Sequence, residues 1–202
     1  MSNYDFFQAF IGQARDIFKT QGFVPLHAPI FGGRERELVV ETLNTTFVSS
    51  IGNYVEEFEQ ALASYTGARY AVATTSGTAA LHVALVLAGV KAADEVVTAP
   101  LSFVATCNAI AYCGASPLFL DVDPDTLGLS PSSLANFLEE HSEIREDGLC
   151  WNKLSGSIIR ACVPVHNFGH PVRIGEISRI CQENNIEVIE DAAESLGSRL
   201  GK

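Results

Sequence analysis

From Tyr70 onward the chain alternates short, mainly apolar runs with helical stretches, and this alternation constrains the fold more than any other feature. The runs are Tyr70–Thr74, Val96–Ala99, Pro117–Val122, Ile158–Val163 and Ile186–Glu190. A strand with one face in water alternates apolar and polar residues, so runs without that alternation indicate strands covered on both faces. Helices predicted over Gly77–Ala88, Phe103–Cys113 and Ile174–Asn184 supply the crossovers of a mainly parallel sheet. Between the third and fourth runs, Ser130-Pro131 opens a helix to about Glu140. The polar stretch His141–Gly156 after it reads as an exposed excursion.

The first third is organised differently. Asn3–Lys19 places Phe6, Phe7, Phe10, Ile11, Ala14, Ile17 and Phe18 at helical spacing, giving one apolar stripe. Gly22 ends it, and Pro25, Pro29, Gly32 and Gly33 forbid regular structure in the arm Gly22–Gly33. Helical spacing resumes over Arg34–Asn44. After a break at Val48–Gly52, Asn53 and Glu56 form a variant capping box for a helix expected to bury Val55, Phe58, Leu62 and Tyr65 before Gly67. The predicted division is an N-terminal helix and arm over residues 1–33, then the main body over 34–202.

Thirteen basic against 24 acidic residues leave a net charge of −11. That balance argues against nucleic acid or an anionic membrane as partner. A phosphorylated ligand stays open, because backbone amides bind phosphate without basic side chains. Cys107, Cys113, Cys150, Cys162 and Cys181 contain no C-x-x-C and read as buried thiols of a reducing compartment. The longest apolar run, around Val83–Val90, is too short to span a membrane. Met1–Phe10 lacks the basic start and apolar stretch of a signal peptide, so the cytoplasm is the expected location.

Four strand exits carry residues suited to chemistry. Asp191 follows Ile186–Glu190, at the sheet edge where open α/β folds place ligands. A fixed carboxylate there can hold a proton on a ring nitrogen, as an Asp does for the pyridinium of pyridoxal phosphate; the plainer alternative is a helix cap. Ser76-Gly77-Thr78 opens a helix apolar nearly all round, hence expected to be buried. Its first N–H groups would form an anion site that Gly77 lets a phosphate approach; an ordinary Ser/Thr cap is the alternative. Ser102 can cap the next helix while Phe103 projects from its first turn, to stack on a flat ring or to fill the core. His166 and His170 stand four apart, but Pro164, Gly169 and Pro171 make a helix improbable and no third ligand is placed for a metal. With Asn167 they form a loop suited to substrate or cofactor contact.

The ordered phrases Ser-Gly-Thr-Ala-Ala-Leu (76–81), Ser-Phe-Val-Ala-Thr (102–106), His-Asn-Phe-Gly-His (166–170) and Glu-Asp-Ala-Ala-Glu (190–194) resemble the DegT/DnrJ/StrS family of pyridoxal phosphate-dependent aminotransferases acting on nucleotide-linked keto-sugars. Pro25–Gly33, Thr46–Ser50 and Asp121–Asp123 with Gly128–Pro131 are similar to the 4-aminotransferases of the legionaminic acid and bacillosamine type. The resemblance covers nearly the whole chain. It implies an α/β, three-layer α/β/α large domain of transferase fold type I, and a homodimer with shared sites. It further implies a UDP-linked 4-keto-6-deoxy-N-acetyl sugar as acceptor and glutamate as amino donor. Carried onto this sequence, Ser76, Gly77 and Thr78 would hold the cofactor phosphate, Phe103 would stack on the ring, and Asp191 would pair with its nitrogen. Glu194 would lie near the ring hydroxyl, and His166 and Asn167 would contact substrate. The family's Schiff-base lysine falls in a Ser-Phe-x-x-x-Lys phrase with no counterpart here. Of Lys19, Lys91, Lys153 and Lys202, none has that context. The expectation is therefore the N-terminal part of a longer enzyme, cut inside its large domain and inactive alone. A family dehydratase, with histidine for the lysine, and a non-catalytic binding chain are the other readings.

Overall fold

The computed structural model describes residues 3–25 and 28–201. Leu26 and His27 of the arm, and Lys202, lie outside the described residues. The chain forms two units, residues 1–53 and 54–202. The first carries α1 (Asn3–Phe18) and α2 (Glu35–Thr45). The stripe of α1 is real but open to solvent, with Phe6, Phe7, Phe10, Ile17 and Phe18 each more than half exposed.

In the second unit, α3 (Asn53–Thr66) leads through an irregular segment to α4 (Gly77–Leu87). Then come β1 (Glu95–Thr98), α5 (Val104–Tyr112), β2 (Ser116–Phe119) and α6 (Pro131–His141). A hairpin of β3 (Ser142–Ile144) and β4 (Cys150–Asn152) precedes β5 (Ile159–Cys162), α7 (Ile174–Glu183) and β6 (Glu187–Val188). The four-stranded sheet has the order β2-β1-β5-β6 and every pairing is parallel. Side chains alternate across it, as strand geometry requires. Val96, Ala161 and Val163 pack with Leu85 of α4 and Ala109 and Ile110 of α5. Val97 and Cys162 pack on the opposite face with Leu134 and Leu138 of α6 and Ile177 and Cys181 of α7. The result is the expected α/β/α layering.

Five local expectations need correction. Tyr70–Thr74 is not a strand: a ladder needs a neighbour, and none among the described residues pairs with it. Its Ala73 N–H instead donates to Glu59 Oε1 at 2.7 Å. Helix α4 is apolar all round yet covered on one side only; Leu85 is buried while Val86 and Leu87 are exposed. Of the residues expected inside α3, Val55 and Leu62 are half-buried and Phe58 and Tyr65 exposed. The His141–Gly156 excursion is anchored rather than loose. Cys150 and Asn152 of its hairpin are buried, and Asn152 Nδ2 donates to Glu95 Oε2 at 2.7 Å. All five cysteines are free thiols, but Cys107 and Cys113 are half-buried.

Candidate functional site

Short strands followed by helix starts or tight loops bring the predicted residues to the carboxyl edge of the sheet. The backbone of β6 continues past Val188 so that Val165 and Asp191 bridge in parallel. Asp191 N–H donates to Pro164 O at 3.0 Å, and His166 N–H donates to Asp191 O at 3.1 Å. The loop after β1 joins this edge through Asn167, whose Nδ2 donates to the carbonyls of Leu101 (2.9 Å) and Leu127 (2.7 Å). Seven residues connect the end of α4 to the start of β1. The carboxyl end of α4 is thus at the opposite, amino edge, and its start at Ser76 points toward Asp191's edge.

Neighbouring acids divide between the two faces. Asp191, 8% exposed, follows the alternation of Ile189 onto the α4/α5 side. Its Oδ2 accepts from Thr106 Oγ1 of α5 at 2.7 Å, and its Oδ1 accepts a longer bond from Ala193 N–H at 3.3 Å. Two carboxylate oxygens offer about four acceptor positions, so Asp191 keeps capacity for another donor. Glu190 faces the other way and meets His166 Nε2 at 3.0 Å. His166 Nδ1 accepts the Val172 N–H at 3.1 Å, which places the proton of the neutral ring on Nε2, directed at Glu190.

At the start of α4, Ser76 Oγ accepts from Ala79 N–H (3.2 Å) and Ser76 O from Ala80 N–H (3.0 Å). The N–H groups of Gly77 and Thr78 have no partner among the described residues, as expected for the first turn of a helix. A Cβ built on Gly77 would meet nothing within 4 Å, so the approach to these amides is open. Phe103 is the N-cap residue of α5 rather than part of its first turn, and it is 77% exposed. That removes the core alternative for its ring. Ser102 does not cap the helix through an accepted amide. Its hydroxyl instead lies 3.1 Å from Phe103 O and 3.2 Å from Thr106 Oγ1.

Glu194 Oε2 accepts the N–H of Phe168 at 2.8 Å, and Ser198 Oγ donates to Gly169 O at 2.8 Å, so the turn after Asp191 is fastened to the His166–His170 loop. His166 and Asn167 are each 5% exposed, with both ring nitrogens and the amide NH2 engaged inside the protein. A cavity of about 440 Å3 lies on the Glu190 side, lined by Tyr65, His166, Glu190, Ser195 and Arg199 among others; Asp191 is not part of its wall. Thr106 was not anticipated as a site residue. The signal for it was available: Ser102 and Thr106 stand one helical turn apart in an otherwise apolar helix start.

These features define a parallel α/β domain with an anion-ready helix start and a buried, partly satisfied carboxylate on one sheet edge. The sequence pattern of the DegT/DnrJ/EryC1/StrS aminotransferase family matches residues 29–202, and the chain belongs to that family. The family's cofactor is pyridoxal phosphate. The chain is 35% identical over 175 residues to a GDP-perosamine synthase of Caulobacter vibrioides, covering 87% of this chain and 43% of that protein. It is 38% identical over 173 residues to a putative pyridoxal phosphate-dependent aminotransferase, EpsN, of Bacillus subtilis, covering 86% and 42%. An aminotransferase structure from Psychrobacter cryohalolentis superposes with a TM-score of 0.71 at 30% identity, covering 87% of this chain and 40% of that one. The chain thus spans well under half the length of these relatives.

Proposed function

We propose that the full-length protein uses pyridoxal phosphate to transfer an amino group from glutamate to C4 of a UDP-linked 4-keto-6-deoxy-N-acetyl-hexose, in bacterial surface-sugar biosynthesis. The observation that carries the reading is the buried Asp191 carboxylate, held by Thr106 with acceptor capacity to spare. It lies on the sheet edge toward which the free amides of Gly77 and Thr78 point. An acidic group and unpaired amides on one edge suit a ligand with a protonated ring nitrogen and a phosphate.

When bound, the cofactor supplies the electron sink for amino transfer. In this reading the N–H groups of Gly77 and Thr78, with the hydroxyls of Ser76 and Thr78, bind its phosphate. Phe103, uncovered at the start of α5, shields one ring face from water. Asp191 keeps the proton on the ring nitrogen by charge. Glu194 acts near the ring hydroxyl through the turn it fastens. His166 and Asn167, whose own polar groups are engaged, serve the substrate side by fixing the backbone of their loop. The catalytic amine is proposed to come from sequence beyond residue 202.

A GDP-linked acceptor is the second reading, favoured by the likeness to a GDP-perosamine synthase. We also propose a cytoplasmic homodimer, with the arm Gly22–Gly33 and the segment Ser49–Gly52 contributing to the shared site. The exposed apolar faces of the helices support an assembly, and no helix among the described residues is long and apolar enough to cross a membrane. Full-length protein incubated with glutamate and the UDP- or GDP-linked keto-sugar should yield 2-oxoglutarate and the matching amino sugar. Failure with both acceptors would end the reading. The 202-residue chain alone should bind the cofactor weakly and give no product.

A further inference from the structure

We infer that Thr106 is a positioning residue that orients the Asp191 carboxylate through a directed pair of hydroxyls beginning at Ser102. The inference rests on the cofactor reading of Asp191 given above. A threonine inside a helix ordinarily turns its hydroxyl back to a carbonyl three or four residues earlier. Thr106, 1% exposed, instead donates across the interior to Asp191 Oδ2 at 2.7 Å, a well-formed O–H···O bond. Ser102 Oγ stands four residues earlier, with Phe103 O at 3.1 Å and Thr106 Oγ1 at 3.2 Å as the two acceptors within reach of its single proton. When Ser102 donates, Thr106 receives on its oxygen and its single proton is left for Asp191. The order Ser102 to Thr106 to Asp191 then ends on a carboxylate that needs no proton of its own. With Ala193 N–H on Oδ1, the two bonds fix the plane of the carboxylate. Its remaining lone pairs face whatever occupies the edge, and that direction, rather than the charge alone, is what a ring N–H requires.

The test uses full-length apoprotein titrated with pyridoxal phosphate, read by the absorbance of the bound cofactor, together with kcat and KM for the sugar. Thr106→Val should weaken cofactor binding by about 10- to 100-fold, the scale of a lost bond to a charged group. It should lower kcat while leaving the sugar KM near wild type. Thr106→Ser keeps the hydroxyl and should restore most of both. Ser102→Ala, at a half-buried position just before the N-cap of α5, should show a smaller loss of the same kind and serves if Thr106→Val does not fold. The inference is overturned if Thr106→Val or Ser102→Ala binds cofactor as the wild type does, or if Thr106→Ser is as impaired as Thr106→Val. Asp191→Asn is the control. If it too binds and turns over normally, the cofactor reading of Asp191 fails; if it alone is impaired, only the role of Thr106 fails.

Discussion

Glu194 reaches back 26 residues to accept the backbone N–H of Phe168 at 2.8 Å, and it does so where the Phe168 backbone is left-handed (φ 56°). A non-glycine residue in that region costs about 1–2 kcal/mol, so the loop before His170 needs an external tie. Glu194→Ala should lower stability by about 1 kcal/mol, a drop of roughly 2–4 °C in the melting temperature for a chain of this size. Glu194→Gln keeps an acceptor oxygen and should melt near the wild type. Thermal denaturation followed by circular dichroism separates the two.

Asp191→Asn preserves the shape of the side chain and an acceptor for Thr106 but removes the charge. In the full-length protein it should reduce amino transfer by at least about 100-fold, the scale of a lost preorganised electrostatic contact. Melting should be nearly unchanged. Steady-state kinetics beside a melting curve checks both halves of the statement.

Gly128 is fixed by space alone. A Cβ there would stand 2.2 Å from Val172 Cγ1 and 3.0 Å from Val165 O, both in the segment that carries His166. Gly128→Ala should therefore destabilise by roughly 1–3 kcal/mol, as overpacked interiors do. Adding Val172→Ala should recover part of the loss despite opening a fully buried position. Urea titrations of the single and double variants measure the coupling.

The thiol of Cys162 is fully buried, and its hydrogen bond with the Cys181 thiol, together with desolvation, raises its pKa well above the ordinary 9.0. Unfolding frees the thiol to ionise from about pH 9, while the folded protein keeps its proton. The unfolded state thus binds fewer protons above that pH. This contribution is complete below pH 9 and is lost as pH rises toward the folded value. The urea midpoint should fall between pH 8 and pH 10, and Cys162→Ala should fall less steeply over that interval. Parallel slopes for the two proteins would refute the assignment.

Much of this was legible in the residues because parallel sheets announce themselves. Val96, Val97, Ala161 and Cys162 sit in runs whose apolar residues fall on both faces, broken only by Thr98 and Arg160, and each of the four is wholly buried. The strand exits at Asp191 and His166 were readable for the same reason, since the residues leaving a set of parallel buried strands gather on one edge. Tyr70–Thr74 misled because an apolar run states only that it needs cover, and the ladder partner that would make it a strand is a long-range fact. Apolar composition likewise could not show that one side of α4 stays open. The Thr106–Asp191 bond joins residues 85 positions apart, and no periodicity within either helix or strand reports such a pairing. The division of Glu190 and Asp191 between opposite faces does follow from strand alternation. Which face holds the carboxylate's partner depended on where α5 packs.

The order of strands also sets a timetable for synthesis. Val96 of β1 pairs on one side with Pro117 of β2 and on the other with Ala161 of β5, about 65 positions further along. At ribosomal rates of roughly 5–20 residues per second, β1 waits on the order of 3–13 s for its second neighbour. Throughout that wait a strand with Val96 and Val97 at its centre presents an open row of amides and carbonyls, the kind of edge that recruits other chains. Recovery of soluble protein should then depend on cooler growth and on chaperones that occupy the nascent β1–β2 pair, more than on how tightly the finished sheet holds together.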